Sequence, residues 1–497
     1  MNRNVESHFA ELPHIDIERS IFDRSSSHKT SFNVGELIPF YIDEVLPGDT
    51  FNITTSCVVR LQTPLTPIMD NMYMDTYFFF VPNRIVWEHW KEFMGENTES
   101  AWYPVTEYSV PVTYPPEGTG WQSGTIADYF GIPVGVGTPT AVGQSVKNPI
   151  SLPFRAYALI CDQWFRDQNL SDPLNIPFGD VNSQGSNGEN YITDVVNGGK
   201  PFKVAKYHDY FTSCLPSPLK FSANIGIGNQ SVPVNFQTPN SAWAPVYTRS
   251  DTVTYDTSLG LPKVRLGVVG NSDAQYYTYN NSGNIGISTS ETGVQVVPNN
   301  LWADISQANI TINDLRLAFQ LQKYFEKNAR AGTRYREIIK EHFGVTTSDA
   351  RMMIPEYLGG HRFPLSIHQV ANQSQGETDF LGDLGAMSNT ADVHEDFVRS
   401  FEEHGFVIGV CCVRYDHSYP QGLERFWTRN RKLDYYYPVF ANLGEQPVYK
   451  SEIYYANNSV YGNNDVFGYQ EAKELSIPGL ISPETLDGLY LYSAQAS

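Results

Sequence analysis

The chain has 497 residues, enough for one large β domain with insertions or for two to four ordinary domains. Lys plus Arg number 34 and Asp plus Glu 54, a net charge of -20 (34 − 54), which excludes a nonspecific DNA-binding surface as a property of the whole chain. If the protein encloses nucleic acid, another basic molecule offsets that charge or only a local patch touches the strand. Aromatic residues reach 13% while charged residues are only 18%, and 38 Gly and 31 Pro are spread along the chain. Many turns and few long helices follow, which favours an all-β sandwich or barrel. The five cysteines (Cys57, Cys161, Cys214, Cys411, Cys412) show no metal spacing and fit a chain made in a reducing cytoplasm. The first thirty residues contain no apolar signal segment, and the most apolar stretch, Phe406 to Val413, is too short to span a bilayer. A soluble protein without membrane insertion is expected.

Residues 1–30 read as an arm, because charges alternate there and no apolar period holds. Three strands are predicted next, over Glu36–Val45, Thr50–Leu61 and Met72–Val81. Pro47-Gly48-Asp49 and the Pro64–Pro67 region supply the turns. Phe78-Phe79-Phe80 reads as a run buried on both faces. Ile85–Met94 has helical spacing through Trp87, Trp90 and Phe93, and Phe154–Asp167 has it through Ala158, Cys161 and Phe165. Residues 97–150 and 170–200 read as long loops without cores of their own.

Residues 219–303 differ from the rest: four cations and four anions are its only charges, and Asn, Ser, Thr, Gly, Val and Tyr dominate. Runs such as Thr252-Val-Thr-Tyr255 suggest strands, so this segment reads as a β-rich excursion. The clearest helix follows, with a capping-box-like start at Thr311 and Asp314 and a stripe of Leu317, Leu321, Tyr324 and Phe325. It weakens at Ala331-Gly332 and resumes through Tyr335, Ile338, Ile339 and Phe343. Gly405–Tyr415 is nearly continuous in apolar residues, as for a central strand. Strands at both ends of the chain flanking helices and one large insertion permit an antiparallel jelly roll, in which sequence-distant strands pair and loops accept insertions. The expected domains are the arm 1–30, a discontinuous jelly-roll domain of 31–218 with 304–497, and the insertion 219–303.

Catalytic and cofactor motifs fail one after another: no phosphate-binding loop, nucleophile elbow, zinc-protease helix or EF-hand loop is present. Gly135-Val-Gly137 lacks the third glycine of a dinucleotide turn and reads as a plain turn. His394-Glu-Asp396 and Glu402-Glu-His404 bring carboxylates beside imidazoles. Neighbouring residues on one element point different ways, so a solvated polar face is expected there rather than a metal or acid–base site. Arg425-Phe-Trp427-Thr-Arg429-Asn-Arg431-Lys432 interleaves cations with aromatics, as a single-strand nucleic-acid contact does. In so acidic a chain, the leading alternative is a structural loop whose arginines pair with the abundant carboxylates. Tyr276, Tyr277 and Tyr279 beside Asn280 and Asn281 suit binding to sugars or another protein's surface, or packing within the insertion.

Several stretches resemble the gokushovirus (Microviridae) major capsid protein family. They are Phe22–Ser25 and Ser31–Phe40 through Asp43–Asp49, Tyr77–Arg84 with Trp87–Gly95, Tyr207–Pro216, Arg334–Gly344 with Pro355–Gly360, and Gly405–Asp416 running on through Arg425-Phe-Trp427. No one of them is a catalytic signature; their joint order carries the likeness. After Glu471 the sequence departs from the family's usual aromatic, Arg-containing continuation.

The resemblance implies an eight-stranded jelly roll whose sixty copies close into a T=1 icosahedral shell. It implies a circular single-stranded DNA genome inside, a small basic DNA-packaging peptide, an internal scaffolding protein and a DNA pilot protein. It places a protrusion near the threefold axes where 219–303 falls, meeting a bacterial surface receptor. On this reading the protein is no enzyme, needs no cofactor, is assembled in the bacterial host cytoplasm and resides in the virion. Arg425, Trp427, Arg429, Arg431 and Lys432 become the candidates for facing DNA; Tyr276, Tyr277, Tyr279, Asn280 and Asn281 become those for host attachment. The rivals are a carbohydrate-active β-sandwich enzyme, which needs two carboxyl groups across a cleft, and a phage adhesin, for which the expected repeats are missing.

Overall fold

The computed structural model describes residues 18–62, 70–98, 102, 106–137, 147–220, 312–371, 384–435, 437, 445–456 and 462–471, and within 221–311 the backbone of seven short strands. The chain divides into two units: Met1–Pro218 with Ala331–Ser497, and Leu219–Arg330.

The first unit is built mainly from antiparallel strands. Its main sheet runs β1 (Ile38–Val45), β9 (Gly405–Tyr415), β3 (Met72–Pro82) and β4 (Glu356–Gly359), with β5 (Arg362–Pro364) also on β3. β9 lies between β1 and β3, so the predicted central strand is central, with residues 405–413 all buried. β9 and β3 pair without a register shift from Gly405↔Pro82 to Tyr415↔Met72. A second sheet pairs β2 (Thr50–Val59) with β8 (Thr390–Ser400). β6 (Ile367–Ala371) pairs β7 (Leu384–Ser388), and β10 (Glu445–Tyr449) pairs β11 (Val466–Glu471).

Alternation along β3 explains the layers. Phe78 and Phe80 point into one cluster with Val45 and Val407, against Phe397, Phe401, Phe51 and Ile53 of the second sheet and its flank. Phe79 and Val81 point the other way, into a larger cluster with Ile408, Val410 and Cys412. One face of the main sheet therefore closes a sandwich and the other carries a helical layer. A period of two along a strand places consecutive phenylalanines in different cores. Each buried Phe contributes roughly 1.5–3 kcal/mol.

The helical layer centres on α1 (Leu152–Ile160), continued by a π-helical turn over Cys161–Phe165. All of α1 but Pro153 is buried, including Arg155. The Arg155 guanidinium sits among apolar neighbours because it donates to three carbonyls, Val86 O at 3.3 Å, Gly179 O at 2.9 Å and Val181 O at 3.2 Å. Burial pushes its pKa down to about 10.

Two expectations are corrected here. Ile85–Met94 is not one helix but two single turns, Asn83–Val86 and Trp90–Phe93, with Trp87 extended between them. Trp87 is fully buried and its indole N–H donates to Asp180 Oδ1 at 2.7 Å, so burial of the ring outweighs helical propensity. The segments 97–150 and 170–200 do have a core: Trp121, Ile126, Ala127, Leu174, Val195 and Val196 pack under α1 with β3 and β9. These loops fold onto their own subunit. Of the arm, residues 18–30 form no regular structure and are exposed; Arg24 pairs with Asp43 at 2.9 Å, and Arg19 reaches Gly48 O. Residues 1–17 and the divergent segment after Glu471 lie outside the described residues, as do Thr252–Tyr255.

In the second unit the strands pair inward from the ends. Val234–Phe236 pairs Leu301–Ala303, Tyr247–Arg249 pairs Val296–Pro298, and Tyr276–Tyr279 lies between Arg265–Leu266 and Ile285–Ser288. A 19-residue helix, α2 (Ile312–Arg330), ends this unit. The chain breaks at Ala331–Arg334 before α3 (Tyr335–Phe343) opens the return to the first unit, where the apolar stripe weakens.

Candidate functional site

The basic stretch begins with a single 3-10 turn, Arg425–Thr428, above the β10–β11 pair. Arg425 is not free to meet a ligand. Its Nη2 donates to Pro447 O at 2.5 Å and to Glu452 Oε1 at 2.7 Å, and Nη1 donates to Gln446 Oε1. The two charged side chains are only 12% and 9% exposed. Arg425 therefore holds its own subunit together, and its assignment as a DNA-facing residue is corrected on that ground. The remaining residues sit differently. Phe426 and Trp427 are exposed, with ring centroids 4.6 Å apart. Arg429 lies over the Tyr435 ring at 5.7 Å, and Arg431 and Lys432 are exposed. The stretch is thus an anchored base (Arg425) carrying an exposed aromatic pair and cations.

Beside it lies an open cleft of about 300 Å³ lined by Tyr210, Phe211, Glu424, Phe426 and Gln446 with the Arg425–Glu452 pair. Gln446 Nε2 donates to the Tyr210 hydroxyl at 3.2 Å, and burial pushes that hydroxyl up to about 12. A hydroxyl raised that far does not serve as a base at neutral pH. The cysteines offer no nucleophile either: all five are free thiols, and burial raises Cys214 and Cys412 to about 12.

Of the tyrosine candidates, Tyr276, Tyr277 and Tyr279 fall on the middle strand of the three-stranded sheet, where Tyr277 pairs with Ile287 and Arg265. Asn280 and Asn281 lie outside the described residues.

The polar face expected at His394 is not solvated. Its side chain is 9% exposed, with Nδ1 2.7 Å from Asp392 Oδ2 and Nε2 2.9 Å from Asp396 Oδ1, and the Asp396 carboxylate is fully buried. The β2–β8 pairing skips Asp396, a bulge between Glu395↔Thr54 and Phe397↔Ile53. Strand alternation puts 392, 394 and 396 on one face of β8, and that face is covered rather than solvated. His361, on the turn between β4 and β5, stacks near His394 with centroids 4.4 Å apart. Sequence reasoning missed His361; the Gly359-Gly360 pair before it was the available signal. A Cβ at Gly359 would collide with Asp396 O, and Gly360 has φ 156 with Thr76 O where its Cβ would be.

Large apolar side chains stand exposed in the first unit, among them Ile21, Phe22, Phe343, Val393, Val398 and Trp427 at 68–101%. An antiparallel sandwich with long connections and many uncovered apolar side chains fits the class of jelly-roll shell subunits. The chain belongs to the capsid protein (F protein) family, which it matches over residues 10–490. That match runs past Glu471, so the family's span includes part of the divergent tail. The chain is 42% identical to capsid protein VP1 of Spiroplasma virus 4 over 87% of its own length and 76% of that protein. It is 37% identical to capsid protein VP1 of Chlamydia phage 1 (92% and 81%) and 38% identical to that of Bdellovibrio phage phiMH2K (92% and 80%). It is a structural protein of the virion and not an enzyme, and it self-assembles into a capsid. Among the described residues, no helix is long and apolar enough to cross a membrane.

Proposed function

We propose that sixty copies of this chain close an eight-stranded jelly-roll shell of T=1 symmetry around a circular single-stranded DNA genome. The observation that carries this reading is likeness to three capsid proteins VP1 over 87–92% of the chain, joined to apolar side chains left uncovered in the single subunit. Icosahedral closure needs different contacts around twofold, threefold and fivefold axes, and such residues suit them. Ile21 and Phe22 on the extended arm are the clearest case, since at 101% and 78% exposure neither packs on its own subunit. The charge of -20 calls for a basic partner inside, which a small packaging peptide would supply. An internal scaffolding protein, a DNA pilot protein and assembly in the bacterial host cytoplasm complete the proposal. So does host attachment by the insertion 219–303 to a bacterial surface receptor.

Negative-stain microscopy of the purified chain tests the shell directly. Round, uniform particles are expected. Deleting residues 1–30 is expected to leave folded subunits by circular dichroism but few particles. Undiminished particle yield would overturn the role of the arm, and a monomer that turns over a glycan would overturn the whole reading.

A further inference from the structure

We infer that His361, Asp392 and His394 form a binding site for one divalent transition cation of the zinc type, clipping the two sheets of the sandwich together. The three residues come from opposite sides of the sandwich. His361 belongs to the β4–β5 turn at the edge of the main sheet, and Asp392 and His394 belong to β8 of the second sheet. Asp392 Oδ2 is 2.7 Å from His394 Nδ1 and 3.8 Å from His361 Nε2. One donor atom from each of the three lies within 4.8 Å of the others. Bonds of about 2.0–2.2 Å to imidazole nitrogen and carboxylate oxygen place tetrahedral donors roughly 3.5 Å apart, so rotation of the half-exposed His361 closes the triangle. Two imidazoles and one carboxylate match the ligand preferences of zinc, and water would fill the fourth position.

Asp396 is the independent observation. Its carboxylate is completely buried, and Oδ2 accepts from the Thr55 hydroxyl. Oδ1 is 2.9 Å from His394 Nε2, the ring nitrogen facing away from Asp392. A histidine that ligates through Nδ1 donates its Nε2–H to such a carboxylate, which fixes the tautomer and strengthens the ligand. Burying a carboxylate against the back of an imidazole is costly for strand packing alone and suits that duty. The Gly359-Gly360 turn, where side chains would collide with Asp396 and Thr76, lets the two halves approach closely enough to share an ion.

The test is isothermal titration of the metal-stripped, purified full-length chain with zinc chloride, read beside its unfolding temperature. One ion per chain is expected, with a rise in unfolding temperature on zinc addition. His361→Ala, at a half-exposed turn position, is expected to keep the metal-free unfolding temperature while weakening zinc at least tenfold and abolishing the rise. Asp396→Asn is expected to weaken zinc by about ten- to a hundredfold without removing a ligand. Absence of stoichiometric binding by the native chain, or binding that His361→Ala leaves unchanged, would overturn the site and leave His394 as an imidazole held between two carboxylates.

Discussion

Arg414 Nη2 lies 2.6 Å from Asp75 Oδ2 across the neighbouring strands β9 and β3, and the carboxylate it meets is only 2% exposed. The pair is the centre of a larger arrangement. Tyr207 also donates to Asp75 Oδ2 at 2.5 Å, and the guanidinium groups of Arg414 and Arg362 lie at 4.1 and 4.2 Å over the Tyr207 ring. Tyr207 begins the Tyr207–Pro216 stretch that carries part of the family likeness, so that stretch is tied to the main sheet by charge and ring together.

Asp75→Ala removes the carboxylate from Arg414 and is expected to cost about 3–5 kcal/mol. Arg414→Ala is expected to cost less, because Asp75 keeps Arg362 at 3.6 Å and the Tyr207 hydroxyl. A double replacement by apolar residues of similar volume, Asp75→Leu with Arg414→Met, is expected to cost less than the two single changes summed. Denaturant unfolding of the four proteins forms the cycle. Simple additivity would show that the pair is not coupled.

The anchored base and the exposed part of the basic stretch separate by experiment. Arg425→Ala leaves Glu452 buried without its cation and is expected to lower subunit stability by about 3–5 kcal/mol. Replacing Trp427, Arg431 and Lys432 together is expected to leave the unfolding temperature unchanged and to lower DNA per particle. Base stacking on an aromatic ring is worth about 1–3 kcal/mol. The ratio of absorbance at 260 and 280 nm across a density gradient reads the packaged content. Full packaging in the triple variant would make the stretch purely structural.

Asp209 supplies a pH dependence with a definite sign. Burial works to raise its carboxyl, but the Thr212 and Phe211 amides and the Tyr419 and Thr212 hydroxyls outweigh that and hold it below its usual value. A carboxyl depressed in the folded state adds stability above its unfolded pKa of about 3.9 and loses it as pH falls through the folded value. The stability gap between the native chain and Asp209→Asn is therefore expected to be full at pH 6 and to shrink below about pH 4. Urea midpoints across that range check it; a gap independent of pH would show that the carboxyl's charge contributes nothing.

Replacing Tyr276, Tyr277 and Tyr279 with alanine is expected to cut the adsorption rate to host cells at least tenfold while particle yield stays near the native level. Adsorption kinetics of purified particles decide it. Unchanged adsorption would confine these tyrosines to the packing of their own unit.

Elements whose physics is local were legible in the sequence. Gly405–Tyr415 emerged with its predicted ends because an uninterrupted apolar run of that length suits a strand covered on both faces. The pause at Ala331-Gly332 divided two helices because the apolar stripe itself lapses there. Trp87 defeated the helical reading because one buried ring outweighs four residues of propensity. The basic stretch was legible as a choice between two roles, and packing divided it: Arg425 took the structural role through Gln446, Pro447 and Glu452, while Trp427 stayed in solvent.

By itself, then, the sequence determined the strand-rich class, the acidic charge, the lack of catalytic spacing and the family likeness, all set by composition, periodicity and residue order. Only the tertiary structure decided which charges are buried in pairs, that the long loops pack on their own core, and that His361 meets Asp392, His394 and Asp396. Asp392, His394 and Asp396 share a face by alternation, but the arrival of His361 and the pairing of distant charges depend on strand register and two glycines and leave no periodic trace along the chain.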